Sequence, residues 1–153
     1  MVTRADRAET LFREGCNCAQ AVFVACLDEQ ALEKEAAIKI AASFGGGMGR
    51  LREVCGALTG LFMAVGLKEG YTDLNDREAK TAHYQLIQNL GLRFKEEYGS
   101  LLCRDLLMLD EQVSDPQPEV RTEAYYAKRP CAEYVRFAAS LFDQMEADQI
   151  TKR

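Results

Sequence analysis

Apolar residues recur at helical spacing nearly from end to end of this chain, and alternating apolar and polar runs flanked by hairpin turn pairs are missing. A stripe that repeats every three or four residues can be buried only as one face of a helix, so the spacing predicts an all-α protein. With 153 residues, 48% of them hydrophobic and 28% charged, the chain has material for the core of one domain but not of two. A single compact bundle of about six to seven helices over 1–153 is expected.

Local signals place the elements. A first helix is predicted from Thr3 to Glu14, stopping at Gly15, and a second after Asn17, which with Gln20 three residues on forms a capping box. A third spans Ala31 to Phe44 and ends at Gly45-Gly46-Gly47-Met48-Gly49. The segment from Leu51 to Leu67 is apolar on nearly every face and reads as the central helix. A long fifth helix runs from Asp76 to Tyr98 and is closed by Gly99; a short sixth, capped by Ser100, runs to Leu109. Asp110 to Arg129, with Pro116 and Pro118, is the one long polar excursion, with a helical turn near 120–127. Pro130 fits the first position of a last helix that ends near Asp148.

Nineteen basic against 24 acidic residues, with no basic block, leave nothing for nucleic acid to bind. The longest charge-free run, Val54 to Leu67, is 14 residues, short of the roughly 20 that span a bilayer, so no membrane insertion is expected. The charged start, Met1 to Arg7, lacks the apolar centre of a signal peptide, and a cytoplasmic chain with reduced thiols is expected.

Six cysteines are the compositional outlier. Four of them fall in the first turn of a predicted helix: Cys18, Cys55, Cys103 and Cys131. Helix heads carry free N–H groups and a partial positive charge, which favour thiolate and lower a cysteine pKa from about 8.5. Such cysteines are good metal ligands and good nucleophiles. Their separations of 37, 48 and 28 residues are unlike paired zinc knuckles or tight ferredoxin runs, so only the fold can bring them together. Cys26, on the apolar face of the second helix, reads as an ordinary buried thiol, whereas Cys16 fits an auxiliary ligand or an exposed thiol equally well.

Gly45-Gly46-Gly47-Met48-Gly49-Arg50 lacks the spacing of a dinucleotide fingerprint and the Lys-Ser/Thr of a P-loop. The turn would instead let backbone approach a cofactor or a thiol closely. Gly56 and Gly60 make a flat strip that fits either close helix packing or cofactor clearance. Arg50, Arg52 and Arg104 stand near the helix heads and could offset thiolate charge, although for Arg52 a solvated position is expected. His83 is the only histidine, which removes multi-histidine metal sites and most histidine-based triads, and it reads as a hydrogen-bonded core residue. No carboxylate pair suggests a hydrolase.

Asn17-Cys18-Ala19-Gln20-Ala21-Val22, Phe44-Gly45-Gly46-Gly47-Met48-Gly49, Cys55-Gly56-Ala57-Leu58-Thr59-Gly60, Cys103-Arg104-Asp105-Leu106-Leu107 and the late Cys131 together resemble the C_GCAxxG_C_C family of redox-active proteins, over about Gly15 to Glu146. The resemblance implies a small bacterial or archaeal redox protein whose four defining cysteines correspond to Cys18, Cys55, Cys103 and Cys131. It also implies a functional link to a membrane transporter, since such proteins are often encoded near transporter genes. A similar domain attached to a multihaem cytochrome with an iron–sulfur centre implies a cluster.

The expected function is therefore electron transfer or redox sensing, with the four cysteines ligating an iron–sulfur cluster, most simply [2Fe–2S], and with Gly45, Gly46, Gly47, Gly49, Gly56, Gly60 and Arg104 around it. Two alternatives stay open: cofactor-free thiol–disulfide exchange by the same cysteines, and a non-redox zinc or metal site. A redox partner protein of unknown identity is expected, and the apolar 51–67 helix and its glycine strip make a homodimer plausible.

Overall fold

Helix α1 (Arg4–Arg13) starts where the Thr3 hydroxyl accepts from the Asp6 N–H and the Asp6 carboxylate accepts from the Thr3 N–H. Helix α2 (Cys18–Ala25) starts on the same reciprocal bonds between Asn17 and Gln20. Each box satisfies two orphan groups of a helix end and so fixes where the helix begins. The computed structural model describes residues 1–110 and 113–152. Within them the chain is all-α, and the sole strand-like feature is an antiparallel bridge between Val54 and Leu102.

Six of the eight residues of α2, Ala19 and Ala21 to Ala25, are buried, and α1, α3 (Lys34–Ala41), α5 (Gly56–Glu69) and α9 (Cys131–Lys152) all pack on it. Helix α5 buries Ala57, Leu58, Leu61, Ala64 and Val65 and touches α2, α9 and α6 (Arg77–Tyr98). A Cβ on Gly60 would lie 2.5 Å from the Ala19 carbonyl oxygen, so α5 crosses α2 at backbone contact distance. Val135, Ala138, Ala139, Leu141, Phe142 and Met145 of α9 complete the core. Leu90, Gly91 and Phe94 are the buried residues of the long α6; Phe94 and Tyr98 pack edge-on against Tyr134, Tyr98 edge-on against Phe137, and Phe94 at a tilt against Phe137 of α9. Among the described residues no helix is long and apolar enough to cross a membrane.

Several expected boundaries move, among them the start of the third helix, expected at Ala31 and found at Lys34. The helix expected over 51–67 begins at Gly56, because Arg50 and Arg52 sit in the left-handed region with φ of 67° and 61° and so cannot continue a right-handed helix. The third helix stops at Ala41, passes through a tight turn at Ala42–Phe44, and leads into a four-residue turn, α4 (Gly45–Met48), where Gly46 and Gly47 both have φ of 67°. The sixth shrinks to α7 (Cys103–Leu106), since Met108 takes φ of 54°. The last helix starts one residue after Pro130, whose carbonyl accepts from Glu133 and Tyr134, and runs on to Lys152. Within the polar excursion, Thr122 caps a short α8 (Glu123–Lys128), close to the expected turn. Glu111 and Gln112 of that excursion lie outside the described residues.

Candidate functional site

Four helix heads face one cavity. Cys18 is the first residue of α2, Cys103 of α7 and Cys131 of α9, and Cys55 is the residue that caps α5. All four line the same space of about 280 Å³, with the glycine turn on one side and residues 116–129 of the excursion on another. All six cysteines are free thiols.

Two of the four are set side by side by backbone pairing that no helical pattern announces. The Cys55 N–H donates to Leu101 O at 2.8 Å and the Cys103 N–H to Glu53 O at 2.6 Å, on either side of the Val54–Leu102 bridge. The left-handed residues Arg50 and Arg52 turn the chain so that 53–55 can make this pairing. Glycines then remove the bulk that would keep the segments apart. A Cβ on Gly56 would sit 2.4 Å from Cys18 Sγ, and one on Gly47 would sit 2.6 Å from Cys103 Cβ. Gly45 is needed against Asn17, whose Cγ would be 2.3 Å from its Cβ.

Burial works against ionisation of three of the four thiols. Burial pushes Cys18 and Cys55 up, Cys55 well above the ordinary thiol value, and Cys131 up to about 12. Negative charge on neighbouring sulfurs adds to the rise: Cys103 acts on Cys18, Cys18 on Cys55, and Cys18 and Cys103 on Cys131. Backbone N–H groups do act in the expected direction, those of Gly46 in the glycine turn and of Ala19 at the head of α2 on Cys18, and those of Ala57 and Leu58 at the head of α5 on Cys55. Desolvation is the larger effect, so the expected lowering of pKa is overturned for Cys18, Cys55 and Cys131. Cys18, Cys55 and Cys131 are thus favoured as thiols, or as thiolates once a cation holds them.

A family model described as "Putative redox-active protein (C_GCAxxG_C_C)" matches residues 16–145, a span that contains all four of these cysteines. The chain belongs to the C_GCAxxG_C_C family. No curated protein and no solved structure matches it.

Around the cysteines of this C_GCAxxG_C_C protein the structure sorts the other expected residues. Gly45, Gly46, Gly49 and Gly56 line the cavity, and Gly47 backs Cys103. Gly60 does not reach it, because it is spent on the α5–α2 crossing. Arg104 does not line it either: its guanidinium pairs with Glu53 at 3.3 Å. The reverse correction applies to Arg52, expected in solvent but 4% exposed, with Nη1 donating to Cys103 Sγ at 3.5 Å and Nε to Ser114 Oγ at 2.9 Å.

Arg121 and Arg129 also line the cavity, and the sequence reading missed both. Arg121 donates to the carbonyls of Phe12 and Cys16 at 3.0 and 3.1 Å and lies over the Phe12 and Tyr125 rings. Arg129 pairs with Glu119. Cations inside a mostly polar excursion carried no signal of their own; that the excursion folds back over the cysteines is a tertiary fact.

Cys26 is buried just past the end of α2 with its thiol pushed up to about 12, and Cys16 is half-buried; neither lines the cavity. His83 lies on α6 with its ring edge toward Tyr71. Its buried Nδ1 has no hydrogen-bond partner among the described residues, so the expected hydrogen-bonded core histidine is not what forms.

Proposed function

We propose that this member of the redox-active family is an electron-transfer or redox-sensing protein in which Cys18, Cys55, Cys103 and Cys131 ligate an iron–sulfur cluster, most simply [2Fe–2S]. The observation that carries the reading is the convergence of four thiols from four distant segments on one cavity. The donor set suits the group: four sulfurs, N–H groups of Gly46, Ala57 and Leu58 directed at two of them, and a guanidinium on a third. Such a cluster, when bound, supplies a one-electron couple. The chain's own residues supply the rest: rigid helix heads to fix the sulfurs, Gly47 and Gly56 to clear space beside them, and Phe12, Tyr125 and Tyr134 to keep water out.

Among the described residues no group of three or more His, Cys, Asp or Glu stands close enough to hold a metal ion, so neither the cluster nor the zinc alternative rests on a preformed ligand set, and metal analysis separates the two. Thiol–disulfide exchange is disfavoured at Cys18, Cys55 and Cys131, whose burial raises their pKa, since exchange needs an accessible thiolate.

Anaerobic purification, visible absorption and iron and acid-labile sulfide analysis test the proposal. A coloured protein with iron and sulfide in equal amounts is expected. A colourless, iron-free protein after reconstitution with iron and sulfide overturns it. Zinc at one per chain would then support a metal-binding module, and an oxidant-dependent loss of free thiols would support a dithiol protein.

A further inference from the structure

We propose that Arg52 sets the reduction potential of the four-cysteine site by holding a permanent positive charge against the sulfur of Cys103. The proposal rests on the redox reading above and adds a positioning residue to it.

Arg52 is unusual twice over. It is a buried charged side chain, at 4% exposure, although arginine normally keeps its head in water and a buried guanidinium loses hydration that only good partners replace. Its backbone is also left-handed, φ 61°, a conformation that a long side chain rarely adopts. Two unfavourable features at one residue, next to a candidate site, point to a role in that site.

The side chain is fixed from both ends. The Arg52 N–H donates to Gly46 O at 3.3 Å, and the Arg104 N–H donates to Arg52 O at 3.3 Å. At the far end Nε is held by Ser114 Oγ at 2.9 Å, and Nη1 lies 3.5 Å from Cys103 Sγ. The glycine turn is shaped around this residue as much as around the cysteines: a Cβ on Gly47 would come within 2.8 Å of Arg52 Cα, and one on Gly46 would face Arg52 Nη1 at 3.8 Å. A guanidinium so anchored presents its charge to one sulfur at constant distance, and arginine keeps that charge at every working pH.

Reduction of a cluster adds one negative charge to the sulfur site: one electron arrives from the reductant and no bond breaks. In a poorly solvated cavity a fixed cation favours that reduced form and so raises the potential.

The test is the midpoint potential of the wild type, Arg52→Gln, Arg52→Lys and Ser114→Ala, measured in anaerobic mediated titrations between dithionite and ferricyanide. Iron content and melting temperature are recorded beside each. Arg52→Gln is expected to disfavour reduction at least tenfold, a shift of about 59 mV downward for a one-electron couple. Arg52→Lys, which keeps the charge, is expected to recover most of that shift, and Ser114→Ala to give a smaller shift of the same sign.

An unchanged potential in Arg52→Gln at wild-type iron content and melting temperature overturns the proposal. So does an Arg52→Lys shift equal to that of Arg52→Gln, which would make the role one of shape. Should Arg52→Gln fail to fold, Arg52→Lys and Ser114→Ala decide by the same signs. If the wild type holds no iron after reconstitution with iron and sulfide, the cluster reading fails and the Arg52 proposal with it, whereas iron bound at an unchanged Arg52→Gln potential overturns the Arg52 proposal alone. Absence of any redox couple overturns both.

Discussion

Gly56→Ala is the substitution whose effect runs most directly against local expectation. Alanine is the better helix former by about 0.8–1.0 kcal/mol, so propensity alone predicts a gain at the first residue of α5. Packing predicts the opposite. The new Cβ would stand 2.4 Å from Cys18 Sγ, 2.9 Å from Phe44 O and 3.2 Å from Ala19 N. A sulfur can swing away by rotating about its own bond, but a backbone carbonyl and a backbone N–H move only with their segments. Overpacking of this kind costs about 1–3 kcal/mol, which outweighs the propensity term and leaves the variant less stable.

The control lies on the same helix. Gly66 has nothing within 4 Å of where its Cβ would be, so Gly66→Ala is expected to stabilise by about 0.4–1 kcal/mol. Thermal and urea denaturation followed by far-UV circular dichroism reads both, at about 2–4 °C per kcal/mol for a chain of this size. The site provides a second readout, because the sulfur that moves to admit the Gly56→Ala methyl is Cys18. Iron retention or, without iron, the alkylation pattern of Cys18 should therefore change in Gly56→Ala and stay as in the wild type in Gly66→Ala. If Gly56→Ala were as stable as Gly66→Ala with its site intact, close approach of α5 to Cys18 would be refuted as the reason for the glycine.

Other consequences can be checked alongside. Cys18→Ser, Cys55→Ser, Cys103→Ser and Cys131→Ser are each expected to lower iron retention at least severalfold in reconstitution assays, while Cys26→Ala, away from the cavity, should keep it. Arg104→Gln removes one partly exposed ion pair with Glu53, so stability should change by less than about 1 kcal/mol and iron content not at all, measured by denaturation and metal analysis. For the metal-free protein, Cys131 has a raised folded pKa of about 12 against an ordinary thiol value of 9.0, and Cys18 and Cys55 are raised as well. A raised acid binds more protons folded than unfolded, so this stabilisation is complete below pH of about 9 and is lost as pH climbs toward 12. Urea midpoints of the metal-free form should fall over that window, and a flat profile would refute the burial of the thiols.

Much of the site was written in short-range chemistry. The Asn17–Gln20 box fixes Cys18 as the first residue of α2, and Pro130 fixes the start of α9 at Cys131, to within one residue. Cys55 and Cys103 are also legible as helix-head residues, yet apolar spacing extends their helices to Leu51 and to Leu109, because it cannot register the left-handed residues Arg50, Arg52 and Met108. Gly56 and Gly60 look alike in sequence and part company only in space, one against a sulfur and the other against a carbonyl.

By itself, then, the sequence determined the helical class, the caps and the four cysteines at helix heads, since capping bonds and the 3.6-residue period act within a few residues of chain. Tertiary structure alone decided that segments separated by 37, 48 and 28 residues share one cavity, that Arg52 rather than Arg104 touches it, and that burial raises thiols which helix heads would lower. Desolvation and charge–charge distance belong to the packed chain, and no local pattern encodes them.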